Sequence, residues 1–155
     1  MAAVVGGLGL VMAVATPAAV AGGNGAQTFT QHDRNVTKVK DPAHFPCLKG
    51  VLGARTLVYS DVFHGTINKN GSWFTGTVHG TVSFVPTDPA LPTYAGHFTT
   101  WFGDENNRKN EVEHSTFSVE AKGSDGSKVT FHDTAHASTN ANGVVTVTFD
   151  KARCG

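Results

Sequence analysis

The chain has 155 residues with 12 basic and 12 acidic side chains, so its formal net charge is zero. That length carries one domain with its own core, and the charge balance argues against nucleic acid, which asks for a basic face. The ten Phe and 39% hydrophobic content argue against disorder, and no basic amphipathic helix for a membrane surface is written in the sequence.

The opening residues differ from the rest. Residues 2–15 are an uncharged apolar run, too short to span a bilayer. Pro17 and the small-x-small triplet Ala19-Val20-Ala21 follow, the pattern of a signal peptidase site. Residues 1–21 are therefore expected to be a signal peptide cut after Ala21, giving a secreted, extracellular chain without a transmembrane segment in its mature form. No Lys or Arg precedes the apolar run, a departure that a start codon upstream of the one used here would explain. Cys47 and Cys154 are the only cysteines, and an oxidising compartment pairs them. That disulfide would close a loop of about 100 residues, worth roughly 4 to 5 kcal/mol on the chain-entropy model.

Residues 22–46 read as a mobile leader with a first strand in it, over residues 28–39. Asp41 to Pro46 is a loop with two prolines, and residues 47–155 form a single β domain. Residues 55–67 and 72–85 flank Asn68-Lys69-Asn70-Gly71, and Asn-Gly is a strong hairpin signal. With Asn70 and Gly71 central in the turn, Ile67 faces Phe74, Phe63 faces Val78, Tyr59 faces Val82 and Leu57 faces Phe84. A proline-stiffened connection leads to a strand over residues 93–102, and residues 103–110 read as a polar loop. Strands over residues 111–122, 128–137 and 144–151 complete the chain, the first two joined by Ser124-Asp125-Gly126. Short connections make the order an up-and-down antiparallel meander. Nothing after the leader has a helical period, so the fold class is all-β: a meander closing into a small β-barrel, with a β-sandwich as the alternative.

In this general plan the chain resembles secreted bacterial all-β proteins with one terminal cysteine pair. In layout alone it is similar to the calycin and allene-oxide-cyclase-like barrels, a likeness that carries no residues across.

Alternation sorts the strands into two faces. One carries Leu57, Tyr59, Phe63, Ile67, Phe74, Val78, Val82, Phe84, Tyr94, Phe98, Phe102, Phe117, Val119, Val129, Phe131, Val145, Val147 and Phe149. Asp61, expected opposite Gly80, and Asp133, expected between Phe117 and Phe149, interrupt it. A carboxylate inside an apolar barrel has its pKa raised, which makes these two the candidate acid or base of a cofactor-free isomerase or cyclase. Tyr59, Tyr94 and Phe98 are the candidate ligand-binding residues beside them. The ordinary alternative gives each Asp a structural role at a rim or as an acceptor for buried donors. The other face carries His64, His79, His97, His114, His132 and His136 among threonines, with Trp73 and Trp101. A three-residue turn at Ser124-Asp125-Gly126 sets His114 opposite His136, a candidate metal pair. The ordinary alternative is a Thr-rich solvent face that contains histidine. No GxSxG, P-loop, dinucleotide, zinc or EF-hand motif occurs, so no cofactor is expected. The functional expectation is a secreted binding protein for a small hydrophobic ligand or a partner surface. The isomerase or cyclase and a secreted structural or surface protein are its alternatives, and the oligomeric state is left open.

Overall fold

A computed structural model describes residues 25–155. The signal-peptide segment expected over residues 1–21 lies outside the described residues. Seven strands run in chain order: β1 Gln27–His44, β2 Leu52–Asn68, β3 Gly71–Pro86, β4 Tyr94–Asn107, β5 Asn110–Gly123, β6 Lys128–Asn140 and β7 Val145–Cys154. They form one sheet in the order β1-β2-β3-β4-β5-β6-β7, each antiparallel to the next. The chain is thus all-β and single-domain, as its alternation and turns imply. The sheet is open, however, because no ladder among the described residues joins β1 to β7. The barrel closure anticipated above is not made by backbone pairing, and the described residues hold no second sheet to form a sandwich.

What joins the two edges is covalent. Cys47, three residues beyond β1, is bonded to Cys154 at the end of β7 across a sequence separation of 107. A disulfide suggests a location outside the cytoplasm, and no helix among the described residues is long and apolar enough to cross a membrane. The segment carrying Cys47 crosses the sheet at this end. Phe45 packs on Phe84 and Tyr94, with ring centroids at 5.2 and 5.8 Å. Gly155 exchanges both backbone hydrogen bonds with Thr130. Together these make a closed end, where Phe45, Leu57, Tyr59, Val78, Val82, Phe84, Tyr94, Phe98, Val119, Ala121 and Val129 form the buried core. Phe84 and Val78 have no exposure at all.

The opposite end holds the tight turns after β2, β4 and β6, and one device builds all three. Asn68, Asn107 and Asn140 each accept, through Oδ1, the backbone N–H two residues on, from Asn70, Lys109 and Asn142. This is the local bond by which Asn mimics a turn of backbone. It explains two departures from the sequence-based expectation. Turning at Lys69-Asn70 makes Asn68 and Gly71 partners, so Tyr59 faces Gly80, Leu57 faces Val82 and Asp61 faces Val78. The expected register was two residues away, and a two-residue shift preserves the faces. Residues 103–107 are strand and not loop, since Asn107 compresses the turn to Arg108 and Lys109.

The third departure is in β7. Cys154 is paired with Phe131 on the core face, where Cys47 must reach it. Alternation then puts Asp150 and Ala152 on the core face, and it puts Val147 and Phe149, expected inward, on the other. Phe149 is the partner of His136 and not a neighbour of Asp133, which faces Ala152. A one-residue change of parity exchanges every side chain between faces, and the disulfide dictates that parity.

Candidate functional site

Moving from the closed end toward the Asn turns, the core face changes character. Phe29, Phe63, Phe74 and Phe102 form a connected group with centroid separations of 5.6 to 6.2 Å. All four are only partly buried. Glycine makes room for them. A Cβ on Gly65 would meet the Phe29 and Phe74 rings, and one on Gly76 would meet the Phe102 ring. The rings therefore lie on bare backbone, where a side chain would have lifted them.

Carboxylates share this face. Asp33 is the ladder partner of Asp61, Asp104 that of Glu113, and Asp133 sits diagonally from Asp150 across β6 and β7. Burial raises the Asp61 carboxyl above the usual aspartate range. The charge of Asp33 adds to this, and the Asp33 backbone N–H, Lys38 and His32 oppose it. Asp104 is raised by burial and then by Glu113 and Glu111. Asp133 is raised by burial and then by a hydrogen bond and charge from Asp150. Its Oδ1 is buried without a hydrogen-bond partner. Like charges held together disfavour ionisation, and each of the three acids has a second acid as a cause.

Between β4 and β7 four of these groups, Phe102, Asp104, Glu113 and Asp150, border a cleft of about 340 Å³. Phe102, Ser115, Ala135, Ala137 and Thr148 supply its apolar and small lining, and Asp104, Glu113 and Asp150 its acids. Gly103, His114, His136 and Phe149, the alternate residues of the same strands, complete it. The volume lies in the range of small-molecule pockets. Among the described residues, Asp104, Glu111 and Glu113 alone bring three metal-type ligand atoms within 4.8 Å of one another, an all-oxygen set of the kind hard cations take.

The candidate residues fall into separate places. Asp61 and Asp133 are on the expected face, at the margin of the core. Tyr59, Tyr94 and Phe98 are buried in the closed end, where Tyr59 meets Phe98 edge-on at 6.4 Å and Tyr94 stacks on Phe45. Their rings are occupied by protein. His114 does stand opposite His136, with ring centroids 5.7 Å apart at 72°. Trp101 and Phe149 flank the pair at 5.5 Å each, so four rings form a band across β4 to β7 on the outer face.

Sequence reasoning passed over Asp104, Glu111 and Glu113, although a signal existed. Asp104 has the parity of Phe98 and Phe102, and the two glutamates have that of Phe117 and Val119. It passed over Arg55 too, which is 7% exposed with its Nε unpartnered and shares the parity of Leu57. Burial lowers the Arg55 pKa. In comparisons of sequence and structure, the chain matches no known protein family, no curated protein and no solved structure.

Proposed function

We propose that this protein is a secreted, non-catalytic binding protein whose open end takes a small organic ligand with an apolar body and a basic group. One observation carries the reading. The half-exposed phenylalanines and the acids with raised pKa occupy the same face of the same half of the sheet, and one of each, Phe102 and Asp104, lines a single cleft with Glu113 and Asp150. Aromatic rings offer apolar area and a negative face to a cation. Carboxylates crowded against one another gain when a cation enters, because it relieves the repulsion that raises their pKa. In place of the enclosed barrel interior expected from the sequence, the proposed site is this open trough, and Phe63 and Phe102 take the roles first assigned to Tyr59, Tyr94 and Phe98.

The raised acids also favour a second reading, cofactor-free proton transfer by Asp61 or Asp133, since a carboxyl tuned upward is a usable general acid. The test is calorimetric titration with a panel of aryl-alkyl amines, each beside its matching alcohol. The amines should bind at least tenfold more tightly at neutral pH, and Phe102→Ala or Asp104→Asn should remove that advantage. Equal affinity for amine and alcohol would refute the binding reading. Chemical conversion of a bound amine, lost in Asp133→Asn, would favour the second.

A further inference from the structure

The two edges of the open sheet are not equivalent. β1 carries the devices that prevent edge-to-edge pairing. Its register is interrupted between Asp33 and Val36 and again between Lys40 and Ala43. Asn35 has a φ of 55°, Lys38 and Lys40 lie along it, and Pro42 has no N–H to give. β7 has one irregularity, between Ser138 and Thr139 of its partner at the turn. From Val147 to Cys154 its ladder with β6 is regular, while its other side pairs with nothing among the described residues. Val147 and Phe149 are 48% and 37% exposed. A regular strand with an open row of N–H and C=O groups accepts an extended strand and little else.

We propose that the occupant is β7 of a second copy of this chain, paired antiparallel about a two-fold axis at Phe149. The neutral chain favours this partner, and charge together with the aromatic band favours this register. The chain has zero net charge, so two copies approach without long-range repulsion. Pairing about Phe149 sets Phe149 against its own copy, Val147 against Lys151 and Thr148 against Asp150, with no like charges opposed. Shifting the axis toward the C-terminus would oppose the two Asp150 carboxylates or the two Lys151 ammonium groups, and shifting it toward Thr148 or Val147 would part the two Phe149 rings. The chosen register also joins the outer-face bands of Trp101, His114, His136 and Phe149 end to end across the axis. The clefts, which β7 lines through Thr148, Phe149 and Asp150, come side by side on the other face. A two-fold pairing of this kind closes on itself as a dimer and leaves the protected β1 edges outermost.

The charge asymmetry supplies the test. Sedimentation equilibrium of the oxidised chain should give a dimer mass. Val147→Lys places an ammonium opposite Lys151 of the second copy and should weaken the dimer at least tenfold, whereas Val147→Glu gains an opposite charge there and should retain or tighten it. Val39→Lys on the β1 edge should leave the dimer unchanged, and thermal melts of all variants control for folding. A monomeric wild type would overturn the proposal. So would equal loss of dimer in the Lys and Glu variants, or loss confined to Val39→Lys.

Discussion

The same seven strands make two environments, a closed end and an open end, and the difference comes from what crosses the sheet. At the closed end the segment bearing Phe45 and Cys47 lies over the core face, and nearly every inward side chain there is buried. At the open end nothing among the described residues covers the same face, so the phenylalanines stay half exposed and the acids stay near water. Burial that stabilises and exposure that recognises are thereby separated along each strand. A residue's distance from the Asn turns says more about its role than its chemical type does, for Phe84 and Phe74 lie on one strand with opposite environments.

The strongest way to break this contrast is to release the closed end. The disulfide closes a loop of 107 residues, and removing it with Cys47→Ala/Cys154→Ala should cost about 4 to 5 kcal/mol by loop entropy. A urea melt of the double variant beside the wild type measures this. The disulfide touches none of the open-end cleft's lining, so any change there in the double variant would come through β7, which supplies Thr148, Phe149 and Asp150. A double variant as stable as the wild type would show that the ladders and Phe45 hold the closed end alone.

A smaller effect separates the ends directly. Phe84→Ala creates a cavity in the fully buried core and should cost about 3 to 5 kcal/mol. Phe102→Ala, at a half-exposed ring, removes less apolar area from its neighbours and should cost about 1 to 2 kcal/mol, while abolishing amine binding. Equal destabilisation by the two would mean that the open end is as much a core as the closed one.

How much of this could be read beforehand depended on whether local or long-range terms decided the outcome. Alternation placed Leu57, Tyr59, Phe84, Tyr94, Phe98 and Val119 on the core face because period-two patterning is local. The pairing of His114 with His136 followed from a turn of fixed length. The hairpin register was missed by two residues because Asn68, through a single side-chain bond to Asn70, moved the turn. The faces of β7 were missed because its parity is set by Cys154 reaching a residue 107 positions away. The local alternation of Val145, Val147 and Phe149 with Thr146 and Thr148 pointed to the opposite parity. The acids of the site share this origin. Asp104 and Glu113 could be placed by counting along their own strands, but Asp150 beside Asp133 needed the disulfide.

The smallest effect probes whether the open-end acids carry the unfavourable charge the site requires. Asp133 has a raised folded-state pKa from burial and from Asp150, so between the ordinary aspartate value of 3.8 and that raised value the folded state binds the proton more tightly than the unfolded state. Stability therefore falls as pH rises through the window, and the full penalty is present above it. Acidification from neutral pH restores the loss until the window ends near 3.8. Asp133→Asn removes the charge without changing the shape, so it should melt higher than the wild type at pH 7, and this gain should shrink as the pH falls. Asp125 is the control from a closed-end turn. The Ser127 hydroxyl and backbone N–H lower its pKa, the opposite sign, so Asp125→Asn should never melt higher than the wild type at neutral pH. If Asp133→Asn instead melted lower at pH 7, with the deficit vanishing in acid, its carboxylate would be an acceptor for donors at the edge of the core. The open end would then be held together by its acids, and a basic ligand would find no repulsion there to relieve.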